Sequence, residues 1–291
     1  MIMSYPKVSI IIPTYNRVHM LWKTIVSIQN QWYTNWEMLL VDDRCTDTTE
    51  KLAREFMCDC RIRYFKNERT HNAAGARNTG LFAATGEYIA YLDDDNIAYP
   101  DWFSTMIDRF QRNPKAKFAY PDFNYTVVSV KGNEYTLIKE SSHFEHEPNV
   151  ENLWSYKFEA DLNGMIHVAK ARDKGLKWDE NLKGYEDYDY ALQLSEMYPN
   201  GMLHVPQVLI KYTRIYGEHG ASNDMTYDDL ISLIEQLDKK YKDHPKWIKY
   251  GNLKEKIGRY KNYKKQGLKP IDVILQKNLP KTKYDSREKL G

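Results

Sequence analysis

Three consecutive aspartates, Asp93-Asp94-Asp95, follow the short apolar run Tyr88-Ile89-Ala90-Tyr91-Leu92. A run of branched and aromatic residues of this length predicts a buried strand. A core does not tolerate unpaired carboxylates, so the three acids belong where the strand leaves the sheet. Side chains alternate along a strand, which points Asp93 and Asp95 the same way. Two convergent carboxylates suit a hard cation such as Mg²⁺ or Mn²⁺, and Mg²⁺ completes its shell with water and phosphate oxygens. The implied chemistry is a metal-held nucleotide diphosphate. A solvated acidic turn would read the same way, so the surrounding motifs matter.

A second acidic group, Gly184-Tyr185-Glu186-Asp187-Tyr188-Asp189, opens a predicted helix that runs to about Met197. The helix dipole favours acids in any first turn. Carboxylates are also the groups that serve as general bases. Two further polar clusters are Pro13-Thr14-Tyr15-Asn16-Arg17 and Asp42-Asp43. The first reads as a strand-to-helix turn in which Thr14 or Asn16 caps the helix.

The elements around these motifs alternate. Lys7–Ile12, Trp36–Val41, Arg61–Phe65 and Tyr88–Leu92 predict strands. Val18–Ile28, Thr48–Met57 and Ala73–Ala84 predict helices. Such alternation implies an α/β fold, a mostly parallel sheet with helices on both faces. Ligands bind such sheets at the carboxyl ends of the strands, which is where the three N-terminal polar clusters fall. Further on, Tyr125–Val130 and Tyr135–Ile138 flank Lys131-Gly132-Asn133-Glu134, a hairpin pattern. Gly164–Val168 is another short strand. From Tyr227 the pattern is helical, amphipathic and basic, with Leu230, Leu233, Ile234 and Leu237 on one stripe.

The 291 residues suffice for a sizeable core, and 42% hydrophobic with 28% charged residues is ordinary for a globular protein. No apolar run approaches the roughly 20 residues of a membrane span, and the N-terminus does not resemble a signal peptide. Cys45, Cys58 and Cys60 make no disulfide framework, and no second pair supports Cys58-Asp59-Cys60 as a metal site. A reducing, cytoplasmic setting is expected, with peripheral attachment at the inner face of a membrane left open. Residues 236–291 carry 17 Lys+Arg against 6 Asp+Glu, a net +11, so residues 1–235 carry −9 of the total +2. This basic end suits an anionic membrane surface or nucleic acid; a merely solvated helical tail is the alternative.

Five motifs in order carry a resemblance. They are Lys7–Arg17, Val41-Asp42-Asp43, Ala74-Gly75-Ala76-Arg77-Asn78-Thr79-Gly80, Gly86–Asp95 and Gly184-Tyr185-Glu186-Asp187. Together, over about residues 6–222, they resemble the family 2 glycosyltransferases, inverting enzymes of the nucleotide-diphospho-sugar GT-A fold. The resemblance implies a Rossmann-like GT-A unit over residues 1–225, with a nucleotide-sugar half to about 115 and an acceptor half beyond. A basic helical extension would fill 226–291. It implies a UDP-sugar donor, Mn²⁺ or Mg²⁺, and a glycan, lipid-linked or other hydroxyl acceptor, modified DNA included. Pro13, Thr14, Tyr15, Arg17, Asp43, Gly75, Arg77, Asp93 and Asp94 would serve the donor nucleotide. Tyr15 would stack on the base, Asp43 would accept its N–H, and Arg77 would approach the diphosphate. Asp95, with Asp93 and His219, would hold the metal. Asp187 would be the general base, with Asp189 a rival, and Glu186 and Trp154 would face the acceptor.

The chain lacks the membrane helices and the Gln-x-x-Arg-Trp signature of processive synthases in that family, so single addition is expected. A nucleotidyltransferase would want a glycine- and lysine-rich triphosphate loop, which the sequence does not contain. A non-catalytic nucleotide-sugar-binding protein is the other alternative, and the intact Asp95 and Asp187 speak against it.

Overall fold

The computed structural model describes residues 5–131, 134–143, 149–155, 162–216, 225–250 and 253–267. The first half alternates as the apolar periodicity demands: β1 (Val8–Thr14), α1 (Val18–Gln29), β2 (Trp36–Asp42), α2 (Thr49–Phe56), β3 (Ile62–Lys66), α3 (Ala73–Ala83) and β4 (Tyr88–Tyr91). Then come β5 (Ile97–Ala98), α4 (Trp102–Arg112), β6 (Phe118–Lys131), β7 (Glu134–His143), α5 (Val150–Trp154) and β8 (Ile166–Val168). The chain continues through α6 (Lys170–Asp173), α7 (Glu186–Met197), β9 (Met202–Tyr216), α8 (Tyr227–Tyr241), α9 (Pro245–Tyr250) and α10 (Leu253–Lys265).

The strands form one sheet in the order β3-β2-β1-β4-β8-β6-β9-β5, with β7 paired on β6. Parallel pairings build β3-β2-β1-β4 and β6-β9, while β8, β5 and β7 join antiparallel. The expected hairpin is present, with Lys131 opposite Glu134. In β1 and β2 every residue is buried, as both-face coverage requires. Alternation divides their side chains between two cores. Ile11, Leu39, Val41, Ile89 and Tyr91 face α3 and α7, whereas Val8, Ile10, Ile12, Met38 and Leu40 face α1 and α4.

Three of the four residues of the C-terminal stripe are buried as their spacing predicts, and Leu230 is half-buried. Leu233, Ile234 and Leu237 of α8 are buried, and Ile234 and Leu237 join the α3–α7 core. A capping box between Thr226 and Asp229 starts that helix. Among the described residues, no helix is long and apolar enough to cross a membrane.

For the site, the decisive feature is register. Thr14 pairs with Asp42, and Ile11 pairs with Tyr91. The chain segments leaving β1, β2 and β4 therefore emerge along one edge of the sheet.

Candidate functional site

At the β1–β2 end of this edge, Tyr15 is 49% exposed and meets the His71 ring edge-on at 5.0 Å. Asp43 is tied into the sheet by its N–H, which donates to the Thr14 carbonyl at 2.9 Å. Its Oδ1 accepts from Asn67 Nδ2 at 2.6 Å, and its Oδ2 lies 3.7 Å from His71 Nε2. Burial raises the Asp43 pKa above the ordinary carboxylate value, against the pull of Asn67 and His71.

The loops here are laced together. Asn16 and Arg44 both hold left-handed backbones, at φ 53° and 68°. Asn16 Oδ1 accepts from the Thr46 and Asp47 N–H groups, at 2.7 and 3.3 Å. The expected capping of α1 by Thr14 or Asn16 does not occur. Asp47 accepts from the Val18 N–H instead, because Thr14 and Asn16 are committed elsewhere.

The three aspartates sort differently from the strand expectation. β4 ends at Tyr91, so Asp93–Asp95 lie beyond the pleat and alternation no longer governs them. Asp93 Oδ1 accepts from Arg77 Nη2 at 2.7 Å, and its Oδ2 accepts from Asn163 Nδ2 at 2.9 Å. Asp94 is 4% exposed and turns inward, accepting from the Thr14 hydroxyl at 2.7 Å and from Arg17 at 3.3 Å. Asp95 accepts from the same Arg17 nitrogen at 2.8 Å. Pro13 is buried within β1, and Thr14 and Arg17 point at carboxylates.

The electrostatics follow from this packing. Burial works against the Asp93 charge, but Arg77 and Asn163 outweigh it and lower the pKa. For Asp95, burial and the neighbouring Asp94 together push the carboxyl up to about 8. The half-buried Asp95 carboxyl, crowded by the buried Asp94, is relieved by a divalent cation, so the donor chemistry fits Mn²⁺ or Mg²⁺. Among the described residues, no three acidic, histidine or cysteine side chains make a metal site by themselves.

Opposite the aspartates stands the first turn of α7. Arg77 Nη1 donates to Glu186 Oε1 at 3.1 Å, so one guanidinium joins Asp93 to Glu186. Arg77 is 7% exposed and lies over the Trp178 ring, 4.6 Å from its centroid. Both of its terminal nitrogens are thus engaged by carboxylates, rather than turned to open solvent as a free phosphate contact would be. Asp187 is half-buried, and its field helps hold Arg77 charged. Asp189 is fully buried and accepts from Gln193, Tyr241 and Lys240, each at 2.7 Å. Tyr185, just before the turn, has a left-handed backbone at φ 57°.

Two other expectations meet a different environment. At Gly75 a Cβ would lie 2.0 Å from the Thr70 carbonyl oxygen, so the close approach there is made by the chain itself. The Gly75 N–H is taken by Asn72, the cap of α3. Trp154 is fully buried, stacked on His244 at 4.5 Å and donating to Ser195 at 2.8 Å, so its ring packs the core. His219 lies outside the described residues.

The family description glycosyl transferase family 2 matches residues 9–173, from β1 through α6. The chain belongs to glycosyl transferase family 2. The match covers Tyr15, Asp43, Arg77 and the aspartates and stops before the Glu186–Asp187 turn. The UDP-Glc:alpha-D-GlcNAc-diphosphoundecaprenol beta-1,3-glucosyltransferase WfgD of Escherichia coli is 40% identical over 122 residues, 42% of this chain and 47% of that protein. The chain spans 23% and 20% of two other relatives, so it corresponds to under half of each. Staphylococcus aureus TarS, solved with UDP-GlcNAc, superposes with a TM-score of 0.62 at 18% identity, over 80% of this chain and 66% of that one. The mannosyltransferase PcManGT of Pyrobaculum calidifontis, solved with GDP-Man and Mn²⁺, gives 0.57 at 16% identity, over 90% and 70%. The GT-A fold expected from the motifs is the fold of this glycosyltransferase family 2 chain.

Sequence reasoning missed His71, Asn67 and Asn163. His71 and Asn67 sit in the polar stretch after β3, and the strand-end rule already applied to β1, β2 and β4 reaches them too. Asn163 precedes Gly164 and carries no signal beyond that of a turn.

Proposed function

We propose that this family 2 protein is a metal-dependent, inverting glycosyltransferase. It moves one sugar from a UDP-sugar to a hydroxyl of a lipid-linked saccharide. The observation that carries the reading is the Arg77 bridge, which faces the acids after β4 with the first turn of α7. The matching family supports the transfer chemistry. The UDP-Glc donor and diphosphoundecaprenol acceptor in the name of WfgD support the choice of substrates. In this reading residues 1–225 are the transferase unit and the basic extension serves an anionic membrane surface.

In the mechanism, Tyr15 stacks on uracil, and Asp43 accepts its N–H beside His71. Asp93 and Asp95, with His219, would hold Mn²⁺ or Mg²⁺, which when bound supplies positive charge for the leaving diphosphate. Arg77 fixes Asp93 and Glu186 relative to one another. The acceptor hydroxyl oxygen attacks the anomeric carbon as Asp187 takes the hydroxyl proton. The bond to the diphosphate breaks on the opposite face, so the anomeric configuration inverts. Three donors already occupy Asp189 in the core, which supports Asp187 over it as the base.

The test is thermal unfolding with UDP-glucose, UDP-N-acetylglucosamine and GDP-mannose, with and without Mn²⁺. A ligand at a hundredfold excess over Kd stabilises by about 2.7 kcal/mol. That corresponds to a rise of roughly 4–5 °C for a chain of this size. Manganese-dependent stabilisation by one UDP-sugar, followed by UDP release on adding a diphosphoundecaprenol-linked saccharide, is the expected result. No shift with any nucleotide overturns the donor site, and pyrophosphate release from a nucleoside triphosphate would make the protein a nucleotidyltransferase.

A further inference from the structure

The three acids of the α7 first turn depend on a backbone that is sterically disfavoured. Tyr185 stands at φ 57° and ψ 19° although it carries a Cβ. A residue holds such a conformation only where its surroundings impose it.

The imposing contacts come from the C-terminal helices. A Cβ at Gly184 would lie 2.6 Å from Leu233 Cδ1, so α8 packs directly on the backbone before the turn. Lys256 of α10 is 4% exposed and sets its ammonium over two rings, 5.3 Å from the Tyr185 centroid and 5.7 Å from that of Tyr260. The phenol oxygens of Tyr185 and Tyr260 are 3.5 Å apart. After the turn, Asp189 is held by Tyr241 and Lys240 from the end of α8. The segment Gly184–Asp189 is thus gripped just before the acids and at the last of them by residues of the basic extension.

The choice of a lysine fits the charge at this point. Glu186, Asp187 and Asp189 already crowd the first turn of α7. An ammonium over two aromatic faces clamps the turn through cation–π attraction and adds no further negative charge. The nucleobase end, Tyr15 with His71 and Asp43, is built from the β1, β2 and β3 loops and does not share these contacts.

We infer that Leu233, Lys256 and Tyr260 are positioning residues: α8 and α10 clamp the Gly184–Tyr185 turn and so set Asp187 for proton removal. The inference rests on the reading of Asp187 as the base. It assigns the first part of the basic extension a task at the site itself, separate from any anionic partner.

The experiment compares the full chain with Lys256→Met and Lys256→Arg. Backbone hydrogen exchange over 184–190, UDP affinity by calorimetry and UDP release from UDP-glucose or UDP-N-acetylglucosamine are read on each. Lys256→Met is expected to speed exchange in that turn by about tenfold while the sheet stays protected. Turnover should fall by about tenfold or more, as misplacement of a reacting group does, with UDP affinity unchanged within about twofold. Lys256→Arg should restore both. Should Lys256→Met fail to fold, Tyr260→Leu carries the same comparison, since it removes one of the two faces under the ammonium. Unchanged exchange in the turn overturns the clamp, as does a uniform rise across the chain with loss of UDP binding. Faster exchange with full turnover overturns the positioning role. Should the unaltered protein release no UDP from either donor, the reading of Asp187 as base falls, and exchange still judges the clamp.

Discussion

Arg77 donates to Asp93 at 2.7 Å and to Glu186 at 3.1 Å, which couples the segment just after β4 to the first turn of α7. Removing the cation from a buried pair is costly because the carboxylates stay behind unpaired. Here the carboxylate side chains keep 33% and 21% exposure, so solvent screens part of that loss. Arg77→Ala is expected to lower unfolding free energy by about 2–3 kcal/mol. Arg77→Lys should recover less than half, since an ammonium cannot fork to two partners. Urea unfolding measures both, and a loss under about 1 kcal/mol for Arg77→Ala would show that the bridge does not hold the two elements together.

Tyr15 leaves half its surface open while its edge contact with His71 and the nearby Asp43 fix its surroundings. Stacking of a base on an aromatic ring is worth about 1–3 kcal/mol by alanine substitution. Tyr15→Ala should weaken UDP binding by roughly 5- to 150-fold in calorimetry. His71→Ala should weaken it less, and neither change should alter thermal stability, because the Tyr15 ring lies outside the core. Equal UDP affinity in Tyr15→Ala would remove the base from this end of the sheet.

The site was legible where chemistry coincides with strand ends. Lys7–Ile12, Trp36–Val41 and Tyr88–Leu92 mark three strands by their apolar runs, and Tyr15, Asp43 and Asp93–Asp95 follow them. What three adjacent aspartates do was not legible. Their partners Arg77, Asn163, Thr14 and Arg17 come from other parts of the chain, and a single sequence does not pair them. Trp154 misled for a related reason: an aromatic reads alike on a sugar platform and in a core, and α8 and α9 decide the matter by covering it. The long strand β9 escaped because Pro206 and its polar residues dilute the alternation.

Asp187 and Asp189 offer a matched comparison two residues apart. Asp187→Asn should lower sugar transfer by about 10²–10⁴-fold, the range for a general base, and leave UDP affinity unchanged. Asp189→Asn should act on folding instead, because it removes the charge facing Lys240 at a fully buried position. Paired turnover and thermal-unfolding measurements separate the two. Full transfer by Asp187→Asn would exclude it as the base.

A buried relay beneath Arg77 sets the acid limit of the fold. The Val168 carbonyl only accepts, so His167 donates to it from Nδ1, at 2.9 Å. Neutral Nε2 then accepts from the Tyr190 hydroxyl at 3.0 Å, Tyr190 accepts from Tyr91, and Tyr91 accepts from Trp178 Nε1. Every hydrogen in this chain has one direction, and a second proton on His167 would oppose the Tyr190 hydroxyl. Burial accordingly lowers the His167 pKa from 6.5 to about 4. The unfolded chain binds that proton below pH 6.5 and the native state does not. Stability from this group is therefore whole above 6.5 and is lost as the pH falls toward 4. The loss amounts to about 3 kcal/mol. Glu37 acts in a lower window: its partners Ser9, Thr85 and Arg63 outweigh burial and hold its pKa at about 2 against 4.5, so its contribution fades below 4.5. Asp95, held up at about 8, gains stability as the pH falls over the same range. The His167 loss is therefore read from pH 7 to 4 as the difference in unfolding free energy between the unaltered protein and His167→Gln, and Glu37→Gln should leave that difference intact. Equal slopes for the unaltered protein and His167→Gln between pH 6.5 and 4.5 would mean that His167 accepts its proton in the native state, and the direction of the relay would then be reversed.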